Sequence, residues 1–292
     1  MEQIQVKARA KINLAIDVVG KRADGYHELK MIMQSLALHD TITLTKLQGA
    51  EIGISSNSTR MPIDETNIAC KAAKFMMDTF SLRQGVHIDV YKRIPIAAGL
   101  AGGSSNAAAV LCGMNEMFEL GLTKDKLAEI GKNLGADVPY CICGGTMLAE
   151  GIGDILTPLP QHPKTVVVLA KPHRGMSTPK VFGKFSRERV GESHPDFATI
   201  LSGLEASDVD KVSCGIMSGM ANVLESVTAA ERPIINDIKT EFLRNGAKCA
   251  LMSGSGPTVF AYFANETQAN TAVAVLRRKF SQLNEIIVTS IE

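Results

Sequence analysis

The chain has 292 residues, 45% of them hydrophobic, and its 31 basic residues almost balance 30 acidic ones for a formal charge of +1. That length and composition supply the cores of one large or two medium domains of a folded, soluble protein. A near-zero net charge excludes a global field that would gather nucleic acid or an anionic membrane, so any anionic ligand needs a local site.

The first segment alternates. Ile4, Val6, Ala8, Ala10, Ile12, Leu14, Ile16 and Val18 share one parity, while Lys7, Arg9, Lys11 and Asn13 share the other. This is the period of a half-buried strand, or of two strands in line, and it projects Lys11 and Asn13 from one face. Scattered charges in MEQIQVKARAKINL leave no apolar core for a signal peptide, and the longest apolar runs, such as VVVLA at 166–170, are too short to span a bilayer. A cytoplasmic location is expected. The turn GKRADGYHE leads into MIMQSLALHDTITL, giving a hairpin.

DETNIACKAAKFMMDTF has helical spacing, and VHIDVYKRI returns to strand alternation. Then comes PIAAGLAGGSSNAAAVL, Pro95 to Leu111, a glycine-rich turn opening on an alanine-rich helix expected from Ser104 to Phe118. Thr123 is expected to cap a second helix, with Gly135 at its C′ position. GGTMLAEGIGDILTPL and TVVVLAKP read as strands, and the polar stretch from Arg174 to Asp196 as a surface excursion. The remainder reads as helices over 217–229 and 234–245, strand KCALM, glycine turn SGSGP, strand TVFAYF, a helix over 266–280 and strand NEIIVTSI, together a small α+β sandwich. Six cysteines, at 70, 112, 141, 143, 214 and 249, form no CxxC pair and have no histidine at ligand spacing, so buried thiols in a reducing compartment are expected.

The glycine-rich loop has two readings. In one, Ser104 or Ser105 caps the helix, and free backbone N–H groups together with the positive end of the helix dipole hold a phosphate. In the other, it is only a tight strand-to-helix turn. No lysine sits in the loop, so it fits neither GxxxxGK[ST] nor GxGxxG. Ala97, Ala98 and Ala101 would each incur about 1–2 kcal/mol in left-handed geometry, so positive φ is expected at Gly99, Gly102 or Gly103.

PIAAGLAGGSSNAA resembles the phosphate-binding motif of the GHMP small-molecule kinases, and LMSGSGPTVFAYF, 251–263, resembles that group's C-terminal glycine-rich motif. Within the group, ARAKINLAIDVVGKRADGYHEL (8–29) and LGADVPYCICGGTMLAEGIGDIL (134–156) resemble the diphosphocytidyl-methylerythritol kinases of the non-mevalonate isoprenoid route. The resemblance implies an α+β, two-domain GHMP kinase fold. A ribosomal-protein-S5-domain-2-like α/β domain would occupy 1–158 and a ferredoxin-like α+β sandwich 159–292, with the reactants in the cleft between them.

It further implies ATP-dependent phosphorylation of the substrate's 2-hydroxyl. Lys11 and Asp137 would be catalytic, with Asp137 accepting the hydroxyl proton and Lys11 keeping that carboxylate ionised and neutralising charge near the γ-phosphate. ATP would lie on Pro95, Ile96, Ala97, Ala98, Gly99, Leu100, Ala101, Gly102, Gly103, Ser104 and Ser105. The cytidine-diphosphate-linked polyol would meet Asn13, Tyr26, His27, Phe182, Gly254 and Ser255. Mg2+ is implied as a cofactor, but no carboxylate stands out as its ligand. No nucleic-acid or membrane partner is expected, and the chain should be a monomer or weak homodimer. Two other readings stay open: a GHMP kinase for homoserine, mevalonate or a sugar, and a non-catalytic ligand-binding regulator on the same fold.

Overall fold

The structure is a computed structural model and describes residues 2–185, 194–206 and 209–292. It divides into two compact units that interleave along the chain. The first holds the chain through Ala10, Leu38–Ile96 and Ala101–Gly144; the second holds Lys11–Ala37, Ala97–Leu100 and Gly145–Glu292.

In the first unit the alternating N-terminal segment begins strand β1 (Gln3–Lys21), and the end of β2 (His27–Lys46) pairs antiparallel with β4 (Val86–Tyr91), from Thr41 opposite Tyr91 to Lys46 opposite Val86. Strand β3 (Ile52–Ser56) runs parallel to β4 and ends the sheet. Four helices belong to this unit: α1 (Ile68–Thr79), α2 (Gly102–Met117), α3 (Lys124–Lys132) and α4 (Val138–Cys143). Asn67 starts α1 by accepting the Ala69 N–H on its side chain, and Ala69, Cys70, Ala72, Ala73, Met76 and Met77 form its buried face. Helix α2 buries every residue from Ser105 to Leu111, which explains its alanines. A Cβ on Gly113 would lie 2.6 Å from Leu44 Cδ1, so the helix approaches the sheet too closely for larger side chains.

Three expectations change here. Helix α2 begins at Gly102 rather than Ser104, and its N-cap is Ala101 in left-handed geometry (φ 55°, ψ 26°) with no side-chain cap. Ser104 and Ser105 therefore lie inside the first turn, and the Ser105 hydroxyl instead donates to the Arg9 carbonyl at 2.6 Å. Thr123 does cap α3, accepting from the Lys126 N–H, but the C-cap is Asn133, and Gly135 lies two residues further on without positive φ.

In the second unit β2 pairs antiparallel with β5 (Thr146–Gly151), which also pairs with β6 (Ile155–Pro158), and β1 is joined in parallel by the two-residue β8 (Ala221–Asn222). A separate antiparallel sheet has the order β11 (Leu283–Ser290), β7 (Val166–Pro172), β10 (Val259–Phe263), β9 (Cys249–Met252). Its inner strands are the continuous apolar runs VVVLA and VFAYF, as expected for strands covered on both faces. Helix α9 (Ile234–Arg244) turns Ile235, Ile238 and Phe242 inward at helical spacing, and α10 (Glu266–Lys279) does the same with Ala269, Ala272, Val273 and Leu276.

The helix expected over 217–229 is instead the end of α7 (Val209–Gly219), strand β8 and then α8 (Glu225–Glu231). Buried Asn222 interrupts it. Its amide donates to the Met252 and Gly254 carbonyls at 2.8 Å, while its side-chain oxygen accepts the Leu224 N–H. These long-range bonds outweigh a local helical preference of tenths of a kcal/mol per residue. The polar excursion after Arg174 contains helix α5 (Thr178–Lys184), and α6 (Phe197–Glu205) follows without a sequence expectation; residues 186–193 of that stretch lie outside the described residues. The six cysteines are free, but only Cys70 is fully buried, four are half-buried and Cys214 is exposed. Among the described residues no helix is long and apolar enough to cross a membrane.

Buried His162 carries a pH dependence. Its Nδ1–H donates to the Pro163 carbonyl at 2.7 Å and its ring meets Tyr262 edge-on. Burial lowers the imidazole pKa below 6.5, against a smaller upward push from the Pro163 bond. Because the folded pKa lies below the unfolded one, below about pH 6.5 the unfolded chain binds more protons and stability falls until the folded pKa is reached. Melting temperature should therefore drop between about pH 7 and pH 5, and His162→Gln should flatten that slope. An unchanged slope in the variant would remove His162 as its source.

Candidate active site

The glycine-rich loop departs from its expected backbone. Positive φ occurs at Gly99 (77°) but also at Ala97 (54°) and Ala101 (55°), whereas Gly102 and Gly103 are helical. Two alanines thus hold a conformation costing about 1–2 kcal/mol each, which persists only where the surroundings over-determine it. Strain of this kind gathers at ligand clamps. Gly99 is needed where it stands, because a Cβ there would lie 2.3 Å from the Ser253 carbonyl oxygen and 3.2 Å from the Gly256 nitrogen. The Ser253 hydroxyl in turn donates to the Gly99 carbonyl at 3.0 Å. The chain after Ala101 starts a sixteen-residue helix with no side-chain cap, leaving first-turn N–H groups and the positive dipole end for an anion.

Lys11 and Asn13 belong to the second unit with residues 97–100 and the 253–256 turn. Lys11 is only 5% exposed and Asn13 1%, so neither is a solvated strand residue. The Lys11 ammonium donates to Asn13 Oδ1 at 2.6 Å, its backbone N–H donates to the Leu100 carbonyl at 3.2 Å, and it forms no ion pair among the described residues. A Cβ on Gly254, whose φ is 59°, would lie 3.5 Å from Lys11 Nζ and 3.0 Å from the Gly99 carbonyl. Lys11, the loop centre and the glycine turn therefore converge, and a desolvated ammonium held only by neutral dipoles favours an incoming anion. Sequence reasoning missed Asn222 and Ser253, which hold this turn in place; the only signal for Asn222 was a polar residue inside an expected helix.

Asp137 belongs to the first unit. It precedes α4, is half-buried, and its side chain makes no capping bond to that helix. Its carboxylate is thus not spent on the turn.

The GYH segment is a hairpin turn built by Asp24, which accepts the Tyr26 N–H, while the Arg22 N–H donates to the Tyr26 carbonyl. The Tyr26 N–H is the main reason the Asp24 carboxyl titrates below its usual range. The turn leaves Tyr26 62% exposed. The His27 ring stacks on Phe182 of α5, centroids 5.4 Å apart and planes at 28°, and Phe185 meets it edge-on at 6.3 Å. Burial first, then the positive Lys21, push the His27 pKa down. That shift favours the neutral imidazole, which offers one donor and one acceptor. The Ser255 hydroxyl is shared with Thr178 at 2.8 Å, which ties the glycine turn to the start of α5.

Residues 67–145 match the GHMP kinases N terminal domain, and residues 200–282 match GHMP kinases C terminal. A 4-diphosphocytidyl-2-C-methyl-D-erythritol kinase of Acetivibrio thermocellus is 48% identical over 277 residues, 95% of this chain and 96% of the relative. The chain belongs to the 4-diphosphocytidyl-2-C-methyl-D-erythritol kinase family. A family protein of the same description from Geobacillus kaustophilus is 47% identical over 94% of this chain and 93% of its own. A crystal structure of a 4-(cytidine 5'-diphospho)-2C-methyl-D-erythritol kinase superposes with a TM-score of 0.83 at 28% identity, covering 99% of both chains. A homoserine kinase from Cytophaga hutchinsonii, at 18% identity and TM-score 0.74, covers 100% of this chain and 95% of its own and shares the fold. As a member of this kinase family the chain is an ATP-dependent small-molecule kinase.

Among the described residues no three His, Cys, Asp or Glu side chains come together to hold a metal ion. The described residues therefore offer no carboxylate cage that would fix one.

Proposed function

We propose that this chain moves the γ-phosphoryl group of ATP to the 2-hydroxyl of 4-diphosphocytidyl-2-C-methyl-D-erythritol, giving the 2-phosphate and ADP in the methylerythritol phosphate route to isoprenoid precursors. The observation that carries this reading is identity of 48% along almost the whole of both chains. The buried Lys11 beside the strained loop supports it on physical grounds. Division into domains at 1–158 and 159–292 is supported by the two family matches, one on each side of that boundary.

In this reading the backbone of Pro95 to Ser105 and the start of α2 bind the polyphosphate, with Mg2+ carried chiefly by phosphates and water. Asp137 accepts the proton of the 2-hydroxyl as its oxygen bonds to the γ-phosphorus and the bond to the ADP oxygen breaks. Lys11 offsets charge on the transferring group. Asn13 bonds the polyol hydroxyls, Tyr26 stacks on the cytosine, His27 reads its edge, Phe182 closes over the ring, and Gly254 with Ser255 complete the substrate wall. A cytoplasmic monomer or weak homodimer is proposed.

The test is ADP release with diphosphocytidyl-methylerythritol, mevalonate and homoserine on the parent and on Tyr26→Ala. The parent should turn over the cytidine compound alone. The variant should raise its KM about ten-fold, the value of one lost base stack, with the KM for ATP within about two-fold. Turnover of mevalonate or homoserine instead would reject the substrate, and equal changes in both KM values would reject the stack.

A further inference from the structure

The sequence HDTITL puts a carboxylate, Asp40, on the same buried parity of β2 as Ile42 and Leu44. Asp40 is 0% exposed and collects four hydrogen bonds within the first unit. Its Oδ1 accepts the backbone N–H groups of Arg93 at 2.7 Å and Ile94 at 2.8 Å, the last residues before the loop. Its Oδ2 accepts Lys92 Nζ at 2.5 Å and Asn106 Nδ2 at 2.8 Å, and Asn106 is the first residue after the loop. Lys92 Nζ also donates to Asn106 Oδ1 at 3.4 Å, and a Cβ on Gly102 would stand 3.2 Å from it. One buried carboxylate therefore grips both ends of the eleven-residue segment 95–105.

We propose that Asp40 is a positioning residue for phosphoryl transfer, holding the 95–105 loop in its strained, ATP-accepting shape. The proposal rests on the reading of that loop as the ATP site. Its physical basis is the loop's own backbone. Left-handed Ala97 and Ala101 relax unless the ends are fixed, and loop amides displaced by about 1 Å lose their hold on a phosphate. A carboxylate satisfied by two backbone N–H groups, an ammonium and an amide is rigid in a way that an exposed ion pair is not. Lys92 cannot act alone, because beside the positive end of α2 its buried charge needs the carboxylate.

Asp40→Asn keeps the shape and an oxygen for the two N–H groups but removes the charge and the second acceptor. In full-length protein it should speed hydrogen exchange of peptides within 93–106 about ten-fold or more, with peptides of β7 and β10 unchanged. The KM for ATP should rise about ten- to a hundred-fold, with the KM for the alcohol within about two-fold. A uniform rise in exchange with an unchanged KM for ATP would mean an ordinary stabilising ion pair and overturn the proposal. Where Asp40→Asn fails to fold, Asn106→Ala, which cuts the tie after the loop and with it the Lys92 bond to Asn106 but leaves the Asp40 bonds to Lys92, Arg93 and Ile94, should show the same KM split, and an unchanged KM for ATP there overturns it too. The loop assignment is checked separately: a non-hydrolysable ATP analogue should slow exchange of 95–105 in the parent. Absence of that protection rejects the ATP loop, whereas protection together with an unaffected Asp40→Asn rejects only the clamp.

Discussion

Asp137→Asn should lower kcat by about 10²–10⁴-fold while the KM values for ATP and alcohol stay within a few-fold. The prediction is sharp because the substitution is structurally mild. The Asp137 side chain makes no capping bond to α4, so exchanging one oxygen for an amide breaks no helix contact, and stability should stay within about 0.5 kcal/mol of the parent. A loss of rate without loss of fold or binding is the mark of a group acting in the transition state. Lys11→Met should behave alike, with a fall in kcat of about 10²–10³-fold, because the ammonium is buried beside the loop centre and forms no ion pair among the described residues that its removal would break. Turnover within a few-fold of the parent in either variant, with circular dichroism unchanged, would sink that residue's catalytic role.

Gly99→Ala should act on the other substrate. Its φ of 77° costs an alanine about 1–2 kcal/mol, and the new methyl would meet the Ser253 carbonyl oxygen at 2.3 Å, a backbone atom that cannot swing away. Either the loop or the 253–256 turn must move, and the turn is fastened by Asn222 to the Met252 and Gly254 carbonyls. The loop therefore gives way. The KM for ATP should rise at least about ten-fold, and the melting temperature should fall by several degrees, as a loss of 1–2 kcal/mol implies for a chain of this size. A variant with the parent's KM for ATP would show that the left-handed turn at residue 99 has no part in holding nucleotide.

Much of this arrangement can be read from local pattern. The alternation over 4–18, the spacing around α1, the apolar runs of β7 and β10, and the glycine turn between β9 and β10 each have one dominant physical cause. What could not be read depends on partners distant in sequence. Along the polar parity of β1 Lys7 is exposed and Arg9 half-buried, whereas Lys11 and Asn13 are buried, and no period reveals where along the strand that change falls. Serine's capping preference pointed to Ser104 or Ser105, yet left-handed Ala101 starts the helix earlier. Sterics pointed positive φ toward glycine, and correctly so at Gly99, but Ala97 and Ala101 take it as well. Asn222 and Asp40 show the same limit: a polar residue within an apolar or helical pattern signals a long-range bond without naming its partner. The loop, the GYH turn and the glycine turn could thus be found as motifs, whereas the groups that hold them could not.

The most direct measurement is phosphorus NMR of diphosphocytidyl-methylerythritol incubated with pure protein, ATP and Mg2+. A new phosphomonoester resonance, coupled to no other phosphorus and assigned to the 2-oxygen, should appear in step with ADP. Release of ADP without that resonance, or no turnover of this alcohol alongside turnover of another, would contradict the proposed reaction.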